Sequence, residues 1–156
     1  MDETNNIRVR LAVPSDVFGL VPLRTALWPE SPSTHHASEL HQILGGTFQS
    51  VMPLVIFVAE EDRAILGFLE AGLRSTADGC DVSCPVGYVE GWYVIEARRG
   101  RGVGRALLRA AENWARQQGC REMASDADID NTLSHRVHAA SGFTVTARSV
   151  LYRKSL

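Results

Sequence analysis

The segment RRGRGVGRALL, from Arg98 to Leu108, limits the possible folds more than any other part of the chain. Three glycines and four arginines make up seven of the eight residues from Arg98 to Arg105. An apolar run, Val86 to Ile95, precedes it and predicts a strand; an amphipathic run follows it. Val103, Ala106, Leu107, Ala110 and Trp114 recur at helical spacing and predict one buried helix face. Arg105, Arg109, Glu112 and Arg116 fall on the opposite, wet face, and Gly119 suits the residue just past the helix end. The start of such a helix carries unpaired main-chain N–H groups and the positive end of the helix dipole. Gly100, Gly102 and Gly104 keep side chains away from that point, so an anion can reach the main chain, as in a phosphate cradle. The alternative is a surface turn with solvated arginines.

The remaining segments predict an α/β (α+β) fold with a central mixed, mostly antiparallel sheet flanked by helices. Ile7 to Val13 alternates as a strand. Pro14-Ser15-Asp16 starts a helix that Pro22 kinks or splits and Trp28-Pro29 ends. Ser38 to Leu44 is a second short helix. Leu54 to Glu60 and Ala64 to Arg74 form a hairpin across Glu61-Asp62-Arg63. Ser75 to Pro85 is a polar loop. Glu122 to Ser125 is a short strand, Asn131 to Ser141 a helix closed by Gly142, and Val145 to Arg153 supplies one or two final strands. With 156 residues and no linker or repeat, the chain suits one domain over residues 1–156.

A net charge of −2 argues against general polyanion or nucleic-acid binding, because the arginines are confined to one turn. No apolar run approaches the roughly 18 residues that span a membrane. Met1 to Asn6 is polar and acidic, unlike a secretory signal, so a cytoplasmic location is expected. Cys80 and Cys84 lack a second Cys or His pair, so no metal is expected.

The ligand of the glycine turn can be narrowed. A P-loop needs Gly-Lys-Ser/Thr, which is absent, and a dinucleotide fingerprint needs glycine where Arg105 stands. The pattern present is Arg-x-x-Gly-x-Gly, at Arg99, Gly102 and Gly104. It resembles the pyrophosphate-binding motif of the GNAT superfamily of acyl-CoA-dependent N-acetyltransferases. NTLSHRVHAASGF, from Asn131 to Phe143, resembles that family's second signature. The resemblance implies acetyl-CoA as co-substrate. The main chain of Trp92, Tyr93 and Val94 would bind the pantetheine arm. Arg99, Gly100, Arg101, Gly102, Val103, Gly104 and Arg105 would hold the pyrophosphate, and Asn131 would contact CoA near its thiol. Many members place a tyrosine as general acid where this chain has His138.

Pieces spread over almost the whole chain resemble the aminoglycoside 6′-N-acetyltransferases: Leu27-Trp28-Pro29, Gly79-Cys80-Asp81, Glu90-Gly91, GCREMASD from Gly119 to Asp126, and Tyr152-Arg153-Lys154. That resemblance implies a homodimer and a cationic aminoglycoside acceptor contacted by Trp28, Glu90 and Asp126. Related enzymes carry an acidic residue at the position of Ala147, and some a tyrosine where this chain has Ser75, Thr76 and Ala77.

The residues carry the same idea independently, because a polycationic acceptor needs an acidic wall. Asp126, Asp128 and Asp130 share one loop, and Asp78 and Asp81 another. Capping of the next helix is the favoured use for Asp128 and Asp130, and turn formation for Asp78 and Asp81. Glu90 lies inside an apolar strand, where a carboxylate is costly without a partner. In a regular strand it shares a face with Trp92 and Val94. A structural ion pair is the alternative role for Glu90, and core packing for Trp28 and Tyr152. The mechanism expected is direct attack of the amine on the thioester. Glu90 takes the proton, directly or through water, and Asp126 holds cationic ring amines. The Val94 N–H polarises the carbonyl, and Tyr152, or else His138, protonates the thiolate. Acetylation of another amine, or non-catalytic acyl-CoA binding, are the competing readings.

Overall fold

A computed structural model describes residues 7–156. Five strands form one sheet in the order β1-β2-β3-β4-β5. They are β1 (Arg8–Leu11), β2 (Leu54–Glu61), β3 (Ala64–Arg74), β4 (Val86–Val94) and β5 (Met123–Ser125). All neighbours run antiparallel except β4 and β5, which are parallel. The parallel pair needs a crossover, and α3 (Val103–Gln117) supplies it.

Helices cover both faces of the sheet. On one face α3 buries Val103, Leu107, Leu108 and Ala111 against Phe57, Leu69 and Val89, and Ala115 against Leu73 and Cys120. Its inward face is thus rotated from the expected one: Leu108, Ala111 and Ala115 are buried, while Ala106, Ala110 and Trp114 are half-buried at its margin. Each fully buried leucine contributes about 2 kcal/mol. On the other face α1 (Val17–Leu27) and α2 (Ser33–Leu44) cover Ile56, Val58 and Phe68. Pro22 neither splits nor ends α1. α2 begins after Pro32, five residues earlier than Ser38, and this earlier turn places buried His36 beneath Trp28. The last helix, α4, is Thr132–Ala140, capped by Asn131.

The strands expected over Val145 to Arg153 are not formed. The segment after Phe143 has no regular structure, and Val150, Leu151 and Tyr152 are 73%, 93% and 92% exposed. Its residues have strand character, but a strand also needs a free edge to pair with. This tail pairs with neither edge of its own sheet.

Candidate active site

Two sites meet at β4. β5 pairs with β4 only from Gly87 to Val89, after which the strands part. β3 continues beside β4 to its end, with Gly67 opposite Val94. Ile95 N–H donates to Leu66 O at 2.9 Å, which makes that a hydrogen-bonded pair. By antiparallel alternation, the N–H and C=O groups of Val94 and Trp92 then point away from β3, into the gap left by β5. Main-chain donors and acceptors therefore line a cleft between β4 and α4.

The cleft leads to the glycine turn. Gly100 and Gly102 have φ of 71° and 84°, left-handed values that suit glycine, and a Cβ on either would meet nothing within 4 Å. Space and bare main chain thus coincide at the start of α3. The first helical hydrogen bond is Ala106 N–H to Gly102 O. The N–H groups of Val103, Gly104 and Arg105 are therefore left over for an anion. Gly104 has a second reason to be glycine: a Cβ there would stand 3.3 Å from the Trp92 indole nitrogen. Val103 is a buried anchor, whereas Arg101 and Arg105 are exposed at the rim. Arg99 sits elsewhere. Its Nε donates to Val94 O at 2.9 Å and its guanidinium lies 5.4 Å from the Tyr93 ring, so it clamps the end of β4. An anionic, extended ligand with a polar arm, such as CoA, suits this groove.

The second site lies on the sheet face under α1. Glu70 pairs with Gly91 and Ala71 with Val89, so Glu90 is the extra residue of a β-bulge. The bulge overturns the regular-strand expectation. Glu90 does not share a face with Trp92 and Val94, which pack toward α3. Its carboxylate instead lies over Gly72, whose Cβ would be 3.4 Å from Oε1, and reaches Arg74. Gly91 turns to the same side, where a Cβ would collide with the Trp28 ring. Arg74 meets Glu90 through two hydrogen bonds, Nε to Oε1 at 3.1 Å and Nη2 to Oε2 at 2.8 Å. The Arg74 guanidinium carbon lies 3.4 Å from the centroid of the Tyr88 ring. The Tyr88 hydroxyl donates to Asp126 Oδ2 at 3.0 Å. Burial, then this hydrogen bond, pushes the Tyr88 phenol up to about 12. The hydrogen bond to Glu90 holds Arg74 firmly protonated.

Beneath Trp28 lies a buried ion cluster. Arg24 Nε is 2.8 Å from Glu70 Oε1, and Arg24 Nη2 donates to Glu39 at 2.7 Å. Glu70 is 3% exposed, and burial pushes its carboxyl up to about 7 although Arg24 opposes that. The Arg24 guanidinium also lies 5.1 Å from the Trp28 ring centroid, and the His36 ring stacks on Trp28 at 6.4 Å.

Trp28, Glu90 and Asp126 are thus linked on one sheet face: Glu90 and Asp126 through Arg74 and Tyr88, and Trp28 through its seat on Gly91. The other expected residues fall as follows. Asn131 Oδ1 caps α4 by accepting from Ser134 N–H at 3.0 Å. Asp128 accepts from Asp130 N–H and Asp81 from Ser83, which is turn chemistry in both cases. His138 borders the cleft, 5.8 Å from the Trp92 ring. Its Nδ1 faces Ser134 O at 2.8 Å and donates there, and its Nε2 lies 2.8 Å from the Ser125 hydroxyl. Tyr152 lies in the exposed tail, outside both sites. Glu70, Arg74 and Tyr88 escaped the sequence reading. Glu70 carried the same signal as Glu90, a carboxylate within an apolar strand (GFLEAGL). Arg74 and Tyr88 carried none, because their roles depend on pairing across β3, β4 and β5.

Among the described residues no helix is long and apolar enough to cross a membrane. Residues 20–143 match the model of the acetyltransferase (GNAT) family. The chain is 40% identical to the aminoglycoside N(6′)-acetyltransferase type 1 of Klebsiella aerogenes over 148 residues, 95% of this chain and 96% of that protein. Its fold superposes on the aminoglycoside N-acetyltransferase AAC(6′)-Iy in complex with CoA with a TM-score of 0.89 at 36% identity, covering 100% of this chain and 99% of that one. The structure of AAC(6′)-Iy with the bisubstrate analogue CoA-S-monomethyl-acetylneamine gives a TM-score of 0.87, again at 36% identity, over 97% of this chain and 100% of that one. A main-chain cleft ending in a glycine cradle, a carboxylate wall beside it and full-length similarity converge: the chain belongs to the GNAT acetyltransferase family, in the group of the aminoglycoside N(6′)-acetyltransferases.

Proposed function

We propose that this chain transfers the acetyl group of acetyl-CoA to the 6′-amine of aminoglycosides by direct attack of the amine on the thioester. The observation that carries the reading is the bulge at Glu90, which sets a carboxylate across from Asp126 beside the open edge of β4. The names of the similar enzymes support the same acceptor.

The amine attacks only when neutral. With an amine pKa near 10, roughly one molecule in a thousand is neutral at pH 7, a penalty of about 4 kcal/mol. Glu90 removes the proton, directly or through a water. Asp126 and the face of Trp28 hold the remaining cationic ring. The N–H of Val94, aimed into the cleft, receives the charge that develops on the thioester oxygen. Arg101, Arg105 and the N–H groups from Gly102 to Arg105 hold the pyrophosphate. Asn131 lies near the thiol end. Tyr152 is assigned the proton for the leaving thiolate, which requires the tail to lie over the cleft; His138 already borders the cleft, but its Nδ1 proton is held by Ser134.

Residues 1–156 act as one catalytic domain in this reading, and two copies pair through the tails. The exposed apolar residues Val145, Val150 and Leu151, beside a sheet whose edge strands are open, support a homodimer. The free thiols Cys80, Cys84 and Cys120 support work in the reducing cytoplasm. The test is CoA release with kanamycin, tobramycin, gentamicin and spermidine. Turnover of the aminoglycosides with a much weaker response to spermidine is expected. CoA binding without turnover on any aminoglycoside would replace the reading by an acyl-CoA-binding module.

A further inference from the structure

Two of the arginine–glutamate pairs, Arg24–Glu70 and Arg74–Glu90, differ in access. Arg24–Glu70 is sealed, with side chains 5% and 4% exposed, and Glu39 supplies a further partner for Arg24. Arg74–Glu90 is open, with side chains 43% and 31% exposed. The open pair occupies the acceptor wall itself. Arg74 engages both oxygens of Glu90, and its guanidinium lies over the ring of Tyr88, whose hydroxyl is bonded to Asp126. A positive planar group bonded to one carboxylate and stacked on an aromatic ring beside a second is what a bound alkylammonium would also be.

We propose that Arg74 is an exchangeable counter-ion of the acceptor site: its guanidinium holds the place of a substrate ammonium, and a polycationic acceptor binds by displacing it. The inference rests on the acceptor reading of Glu90 and Asp126 given above. Three features favour exchange over a fixed structural role. A solvent-exposed ion pair contributes little to stability, so breaking it is cheap. Arg74 is the last residue of β3, so its side chain can swing outward without breaking the ladder. Both oxygens of Glu90 are engaged by the guanidinium, so displacement would open them to an arriving amine. The device also discriminates by charge. A singly charged amine gains one ion pair by displacing another, whereas a polycation gains further contacts to Asp126 at the same time.

The experiment is titration calorimetry of tobramycin into the CoA complex, with turnover measured in parallel, for the wild type, Arg74→Ala, Arg74→Gln and Arg74→Lys. Loss of the resident cation is expected to tighten tobramycin binding about 5- to 10-fold in the Ala and Gln variants. The Lys variant should gain less than the Ala and Gln variants, since a cation remains although the bidentate fork is lost. The gain should shrink as salt rises, because it is electrostatic. Binding that is unchanged or weaker in both Ala and Gln variants, with wild-type turnover intact, overturns the exchange and makes Arg74 a fixed support of Glu90. A wild type that binds CoA but neither binds nor acetylates tobramycin overturns the acceptor reading, and this inference with it.

Discussion

The donor and acceptor halves of the site are built from different materials. The donor half is main chain: the outward N–H and C=O groups of Trp92 and Val94, and the start of α3 cleared by Gly100 and Gly102. Its side chains mainly stay out of the way or, like Arg99, clamp the backbone. The acceptor half is side chain: Arg74 joins Glu90 to the Tyr88 ring, Tyr88 is bonded to Asp126, and Trp28 packs on Gly91. Main-chain recognition suits the invariant pyrophosphate of a co-substrate. Side-chain recognition can be retuned residue by residue, which suits a site that selects among amines.

If the halves are separable, a change in one should leave the other alone. Gly102→Ala forces a side chain into the left-handed region at φ 84°, at about 1–2 kcal/mol. The KM for acetyl-CoA should rise about 10-fold while the KM for the aminoglycoside stays within about 2-fold. Initial rates with each substrate varied in turn will show this, and an equal rise in both would break the separation.

A smaller effect, confined to the acceptor side, should come from Glu70. Its folded-state carboxyl is pushed up to about 7, above the ordinary 4.5. The folded protein therefore holds that proton more tightly than the unfolded chain. The contribution is fully present below the ordinary value and is lost as pH rises through about 7. Urea midpoints measured across that window should decline for the wild type. In Glu70→Gln this part of the decline should vanish, and CoA affinity should be untouched. An identical slope in both proteins would mean that Arg24 keeps Glu70 ionised throughout.

The same division explains what could be read from the sequence. The donor half follows from local order: strand, glycine turn, then a helix of period 3.6, all within Val86 to Gln117. Glu90 was visible as a carboxylate in an apolar strand, but its direction was not, because the bulge exists only relative to β3. Arg24 and Glu70 are 46 residues apart and Arg74 and Glu90 are 16 apart, so their pairing is a product of the fold. The tail shows the same limit in reverse. Val145, Val150 and Tyr152 have strand character, yet strand character does not say whose edge will be used.

The most direct test of the division is one variant measured on both sides. Glu90→Gln keeps the size of the side chain and removes the proton acceptor. The expected result is kcat lower by about 100-fold, with a steeper dependence on high pH as the amine must lose its proton unaided. CoA binding by calorimetry should remain within about 2-fold of the wild type. Wild-type kinetics across about pH 6 to 9 would contradict the role of Glu90, and a parallel loss of CoA affinity would contradict the separation of the two halves.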